Sequence, residues 1–295
     1  MRGFQEKSRL ALGTVQFGLP YGIANQGGQV GGEEAAAIVS RAWAMGFDTL
    51  DTAIAYGESE RRLGDIGVGR WQVISKLPAL PEPCADVVGW VETAVASSLE
   101  RLRIPRLRGL LVHHSLQLLG PQGEALHRAL VALKEEGRVE KVGVSIYNPA
   151  ELDALPPHFH LDLVQAPFNV LDRRLATSGW LSRLHASGIE VHVRSVFLQG
   201  LLLMDPLKRP AAFDRWRPLW EIWHRWLDER ALTPVQGCVG FALSRPEIAR
   251  VIVGVDTVAH LQEIVAAAET PSVPVPDALV TEDLYLLNPS NWALR

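Results

Sequence analysis

The stretch Leu10-Ala-Leu-Gly-Thr-Val-Gln-Phe-Gly-Leu-Pro-Tyr-Gly22 decides the fold. Its first three residues are apolar without alternation, the pattern of a strand buried on both faces in a parallel sheet. The loop after them is rich in glycine, but Gly13, Gly18 and Gly22 are not at the G-x-G-x-x-G spacing of an open, doubly wound sheet. That spacing lets a backbone turn cradle a pyrophosphate at a helix N-terminus. Working outward, Glu33–Met45 repeats its apolar residues at helical spacing, and Phe47–Asp51 is again a short apolar run. The alternation continues through strand candidates at Trp71–Leu77, Leu110–His113, Val139–Val144, Leu161–Ala166, Ile189–Val193 and Val251–Val253. Helical patterns lie between them at Glu58–Ile66, Val87–Leu102, Glu124–Glu136, Pro149–Leu155, Ala176–Ala186 and Pro234–Leu243. Eight strand–helix units and the missing fingerprint favour an α/β class chain, a closed (β/α)8 or TIM barrel.

The chain of 295 residues suits one barrel, which typically needs about 250. No stretch has the composition of a linker, so residues 1–295 read as a single domain. A long interval after the seventh strand, about 197–230, carries a Trp-rich helix around Trp216, Trp220, Trp223 and Trp226. That helix reads first as an outer support; the sharper reading has Phe197–Ala212 folding over a bound cofactor. A Pro-rich segment, about 271–295, reads as a closing piece. Hydrophobic residues at 47% and charged ones at 21% give material for both a large core and a solvated surface. The net charge of -4 leaves no basic footprint for nucleic acid. Cys84 and Cys238 are far apart in apolar surroundings and read as reduced, buried thiols. Met1–Lys7 holds no apolar signal region, and no apolar run approaches the ~20 residues of a membrane span. A cytoplasmic setting follows; oligomeric state stays open.

Barrel enzymes keep their chemistry at the C-terminal ends of the strands. The polar residues there are Asp51, Lys76, His113, Ser145, Gln165, Arg194 and Ser195, with Tyr56 five residues beyond Asp51. Four of them make one chemical unit. Reducing a carbonyl requires a proton donor for the oxygen, and a phenol, titrating near ~10, gives up its proton reluctantly at neutral pH. A lysine beside a phenol favours the phenolate, an aspartate holds the lysine, and a histidine orients the carbonyl oxygen. Singly, each has a plainer reading: Asp51 as a helix cap, Lys76 as surface charge, Tyr56 as packing. Of the adjacent His113 and His114, at most one faces the reaction centre, because successive strand residues point to opposite faces.

These segments resemble the aldo-keto reductases from about Leu10 to Ile264. The matching pieces are Leu50–Gly57, Ile74–Leu77, Ser98–Leu102, Leu111–His113, Leu130–Leu133 with Lys134–Arg138, Val142–Ser145, Leu163–Asn169 and Ile252–Gly254. Each is weak alone; their order and spacing carry the resemblance. It implies a catalytic tetrad of Asp51, Tyr56, Lys76 and His113, with Tyr56 as general acid in reduction and base in oxidation. It implies a nicotinamide cofactor lying extended across the barrel mouth, its carboxamide held by Ser145 and Gln165 and its pyrophosphate by Ser195–Gly200. Gly13, Thr14, Asp51, Arg194, Ser195, Leu198, Gln199, Gly200, Gly254, Asp256 and His260 complete the expected cofactor contacts. The resemblance favours NADP(H), with NAD(H) as second candidate, since Asp256 stands near where relatives hold a cation. Two further departures are Ile146 after Ser145, where the family often has Asn, and Arg194, where a tyrosine commonly stacks under the nicotinamide. Gln16, Phe17, Tyr21, His114 and Trp292 are the expected substrate pocket, suiting a small carbonyl or alcohol, a sugar among them. A non-enzymatic alternative is a cofactor-binding regulatory or sensor protein on the same fold. A metal-dependent hydrolase using His158 and His160 is disfavoured, because these residues precede the sixth strand, at the wrong end of the barrel; no metal is expected.

Overall fold

The computed structural model describes residues 9–292. The Met1–Lys7 stretch read for targeting and residues 293–295 of the closing segment lie outside them. Eight parallel strands close into a barrel in sequential order. They are β1 (Leu10–Gly13), β2 (Thr49–Asp51), β3 (Gln72–Leu77), β4 (Leu107–Val112), β5 (Val139–Ser145), β6 (Leu163–Pro167), β7 (Glu190–Arg194) and β8 (Arg250–Gly254). The helices are α1 (Gly32–Ala44), α2 (Ser59–Ile66), α3 (Val87–Leu102), α4 (Gly123–Glu135) and α5 (Ala150–Ala154). They continue as α6 (Arg174–Thr177), α7 (Trp180–Ala186), α8 (Arg217–Arg230), α9 (Pro234–Leu243), α10 (Val258–Ala267) and α11 (Leu284–Leu287).

The barrel predicted from strand–helix alternation is therefore the observed one. Helix α3 illustrates the local logic: the Asp86 side chain caps its first turn, and Val87, Val91, Val95, Ser98 and Leu102 form one buried stripe. The helix expected over Ala176–Ala186 is instead two, because Gly179 at φ +80° breaks the ladder between α6 and α7. Strand β4 ends at Val112, so His113 begins the loop and is free of the strand's pleat.

Register decides which residues meet. Gly13 pairs with Asp51 on one side and Gly254 on the other. Ser145 lies beside Gln165, and Pro167 beside Arg194. The candidate residues thus end on one rim, although they are scattered from residue 13 to residue 254 in the chain.

Helix α8 buries Trp220, Trp223 and Trp226. Each indole N–H donates to a carbonyl outside the helix, Trp220 to Phe213, Trp223 to Leu202 and Trp226 to Pro274. The helix thereby braces both the loop after β7 and the closing segment. Trp292 packs edge-on against Phe213, with centroids 5.0 Å apart, and donates to the Leu286 carbonyl.

Candidate active site

Lys76 is fully buried at the β3 end. Its Nζ donates to Asp51 Oδ1 at 2.7 Å and to the Thr52 carbonyl at 2.8 Å. The other carboxylate oxygen of Asp51 accepts from Gln165 Nε2 at 2.6 Å. An ammonium sealed from water is tolerable only when so paired. Burial alone would pull the lysine toward its neutral form, but Asp51 more than offsets this and its pKa is raised. The charge therefore persists at neutral pH. The third donor of this ammonium meets no acceptor among the described residues, and Nζ stands 5.0 Å from the centroid of the Tyr56 ring. No hydrogen bond joins Nζ to the Tyr56 hydroxyl.

Tyr56 is positioned by a knot between the loops after β1 and β2. Thr14 donates through both N and Oγ1 to the Asp51 carbonyl, at 3.0 and 2.9 Å. Ser59 Oγ donates to the Thr14 carbonyl at 2.9 Å and stands 3.1 Å from Thr52 Oγ1. The two loops touch so closely that a Cβ on Gly18 would fall 1.7 Å from the Tyr56 carbonyl oxygen. Glu60, buried on α2, accepts from Ser75, Ser98 and Arg101, tying α2 to β3 and α3. Ser98 and Arg101 belong to the Ser98–Leu102 motif, which therefore serves packing behind the site.

The His113 ring meets the Tyr56 ring edge-on, with centroids 5.9 Å apart, and tilts against His114 at 5.4 Å. Burial, then the charges of Lys76 and of its other neighbours, pushes its pKa down to about 3. His113 is thus a neutral imidazole at physiological pH. His114 is exposed and does not line the cavity described next.

Asp51, Tyr56 and His113 open into a cavity of about 590 Å³. Of the other residues singled out by sequence, Gly13, Thr14, Gln16, Tyr21, Arg194, Ser195, Gln199, Gly200, Gly254, Asp256 and His260 also line it. Leu198 and Phe17 do not: both are fully buried apolar side chains in the core. Trp292 also stands away from the cavity, held by Phe213. Ser145 and Gln165 lie beneath the lining, fully or almost fully buried, and Ser145 Oγ and Gln165 Oε1 have no hydrogen-bond partner. Sequence reading missed Tyr147, Asn25, Pro234, Val235 and Glu263, which line the cavity as well. Tyr147 stands two residues past the β5 end, a loop position that was available to inspection. Pro234 and Val235 carried no signal, since they come from the start of a helix that has no strand immediately before it.

Two loops roof the cavity. Ile23 N donates to the Gln199 carbonyl at 3.0 Å, and Gln199 Nε2 donates to the Tyr21 hydroxyl at 3.2 Å. Ser195, Leu198, Gln199 and Gly200 all have positive φ. Such crowding of left-handed residues persists only where the surroundings enforce it. Asn169 helps to do so by donating to the Ser195 carbonyl at 3.0 Å. Of the interval Phe197–Ala212, Phe197, Gln199, Gly200 and Leu203 reach the cavity. Arg209 instead stacks over Trp220 and bonds His224. Arg194 donates to the Ile146 carbonyl at 3.0 Å and lies 4.4 Å from the centroid of Tyr147.

The cavity suits a nicotinamide dinucleotide. Its volume falls within the roughly 300–1,000 Å³ of ligand pockets. The unpartnered Ser145 Oγ and Gln165 Oε1 can meet an amide, which is both donor and acceptor. Among the described residues, no group of three or more His, Cys, Asp or Glu side chains is placed to hold a metal. His158 pairs with Glu124 at 2.8 Å on the surface. No helix of the described residues is long and apolar enough to cross a membrane.

A sequence profile described as the aldo/keto reductase family matches residues 9–274. An aldo-keto reductase of Mycobacterium sp. (strain JLS) is 30% identical over 185 residues, 59% of this chain and 63% of that protein. The match thus spans less than two thirds of that relative's length. The uncharacterized oxidoreductase YqkF of Bacillus subtilis (strain 168) is 24% identical over 257 residues, 80% of this chain and 82% of that one. Among solved structures, aldo-keto reductase AKR11C1 from Bacillus halodurans in its holo form superposes with a TM-score of 0.74 at 20% identity. That superposition covers 93% of this chain and 94% of the other, and shows the same fold.

Proposed function

The chain belongs to the aldo/keto reductase family, and on that premise we propose that it interconverts a small aldehyde or ketone and the corresponding alcohol. The nicotinamide cofactor, when bound, supplies or accepts the hydride. The observation that carries the reading is the buried Lys76, paired with Asp51 beside the Tyr56 ring, with a neutral His113 edge-on to the same ring. Tyr56 gives its hydroxyl proton to the carbonyl oxygen during reduction and takes it back from the alcohol during oxidation. Lys76 holds its positive charge 5.0 Å from the centroid of the Tyr56 ring. Asp51 and Gln165 fix the ammonium in place. His113, being neutral, donates an N–H to the substrate oxygen without competing as an acid.

Tyr21, Tyr147 and Arg194 are among the lining residues, which supports a polar carbonyl compound, a sugar aldehyde among them. Ser145 and Gln165 are assigned to the carboxamide of the nicotinamide. A screen of aldehydes, ketones and aldoses with NADH and NADPH, run in both directions, tests the reading. Turnover of at least one polar carbonyl that vanishes in Tyr56→Phe is the expected result. A tightly retained cofactor with no turnover of any compound would refute it.

A further inference from the structure

The cavity is lined by two groups of residues that differ in kind. The inner end reaches Asp51, Tyr56 and His113 at the barrel axis. The outer end reaches the helical layer, at Pro234 and Val235 of α9 and at His260, Glu263 and Ile264 of α10. If the inner end holds the reacting ring, as the reading above requires, the outer end holds the part of the dinucleotide farthest from it, the adenosine.

That outer end is acidic. Asp256 and Glu263 line it, and both carry carboxylates. Helix α10 starts here, and the first turn of a helix is an anion site because its N–H groups lack partners. In this chain the protein already supplies the anion: Glu34 of α1 accepts from the Val258 N–H at 2.8 Å. The Thr257 hydroxyl takes the His260 N–H at 3.2 Å. Two of the donors that would greet a phosphate are therefore spent. Among the described residues that line this end, His260 is the one able to become a cation, and it stands 4.0 Å from Asp256. The cations of the β7 loop lie elsewhere: Arg209 on Trp220, Lys208 exposed and outside the lining, and Arg194 on Tyr147 at the inner end.

We propose that this end selects a nicotinamide cofactor whose adenosine ribose is unphosphorylated, so that the protein uses NAD(H) in preference to NADP(H). A ribose diol offers two O–H donors to the Asp256 carboxylate, whereas a phosphate at that place would meet Asp256, Glu263 and the Glu34 charge with like sign. Partial burial pushes the Asp256 pKa up, with His260 opposing it, and Asn25 Nδ2 donates to Asp256 Oδ1 at 3.5 Å, which leaves the other carboxylate oxygen for a diol. This reverses the NADP(H) expectation drawn from resemblance, and it rests on the dinucleotide reading of the cavity.

The two cofactors differ by one phosphate, so the ratio of their dissociation constants isolates that contact from folding and from everything they share. Fluorescence titration of the whole protein with NADH and with NADPH, without any carbonyl compound, gives this ratio. Wild type is expected to bind NADH at least ten-fold more tightly, a difference of about 1.4 kcal/mol. Asp256→Lys should shift the ratio toward NADPH by ten-fold or more; Asp256→Asn, a gentler change that keeps the shape, should shift it in the same direction by less. NADPH binding as tightly as NADH in wild type would overturn the inference and leave the dinucleotide reading standing, as would a ratio that neither variant moves. Failure of both cofactors to bind would overturn the inference together with that reading.

Discussion

At the lower end of the barrel, Glu190 accepts from Lys141 and from His192 and pairs with Arg108, while Asp48 pairs with Arg250 at 3.1 Å. At the upper end, Asp51 accepts from Lys76 and Gln165. The residue types are nearly the same, and both ends leave buried polar atoms without partners, His192 Nδ1 below and Ser145 Oγ above. What separates them is access to water and the company kept. The side chains of Lys141 and Glu190 are 27% and 16% exposed, whereas those of Lys76 and Asp51 are 0% and 6%. A charge within reach of solvent is screened and works as a staple. A sealed charge is felt by its neighbour, and the neighbour here is a phenol opening into a cavity. Finding a Lys–carboxylate pair in a barrel therefore says little; finding it dry and beside a tyrosine says a great deal.

The sharpest way to break the contrast is Tyr56→Phe. Loss of a positioned acid should lower turnover by ~10²–10⁴ while cofactor affinity by fluorescence stays near wild type. Wild-type-like turnover would reduce the upper cluster to a second staple.

Next comes a paired test, Lys76→Met against Lys141→Met. Removing Lys76 leaves Asp51 a buried, uncompensated charge, and should cost about 3–5 kcal/mol in a urea melt along with nearly all turnover. Removing Lys141 leaves Glu190 with His192, Arg108 and some water, and should cost about 1 kcal/mol or less with turnover intact. Equal costs would show that burial does not distinguish the two pairs.

A smaller effect concerns pH. The unfolded imidazole of His113 takes a proton near ~6.5, the folded one at about 3. Between these values the unfolded state binds more protons, so this group makes stability fall as pH drops from ~6.5 toward 3. Its NMR resonances should show no titration step between pH 5 and 8. A step near pH 6 would mean that the ring is hydrated and cannot serve as a neutral donor.

The smallest expected effect is that of Ser145→Ala. Its hydroxyl has no partner in the protein alone, so the melt should be almost unchanged. One lost hydrogen bond to the carboxamide, worth about 1 kcal/mol, should weaken cofactor binding roughly five-fold. Loss of stability without loss of affinity would move Ser145 from the site to the scaffold.

Asp51, Tyr56, Lys76 and His113 were legible in the sequence because strand ends follow from apolar periodicity, and barrel chemistry gathers at strand ends. Phe17, Leu198 and Trp292 misled because a loop side chain near a site may turn into the core as readily as into the cavity, and periodicity says nothing about a loop. The resemblance placed His113 rather than His114 in the tetrad, and the end of β4 at Val112 takes His113 out of the strand's pleat. The NADP(H) expectation rested on relatives; the contact that argues against it, Glu34 on the Val258 N–H, joins residues from opposite ends of the chain.

By itself, then, the sequence determined the barrel and the strand-end rim on which Asp51, Tyr56, Lys76 and His113, the proposed reacting side chains, stand. These are local facts, written in the spacing of apolar residues and in residue type. The tertiary structure alone decided that Lys76 is dry, that His113 is neutral and that the outer end of the cavity is acidic. Desolvation and Coulomb interactions depend on what surrounds a group in space, and barrel closure brings β1, β2 and β8 together from the two ends of the chain.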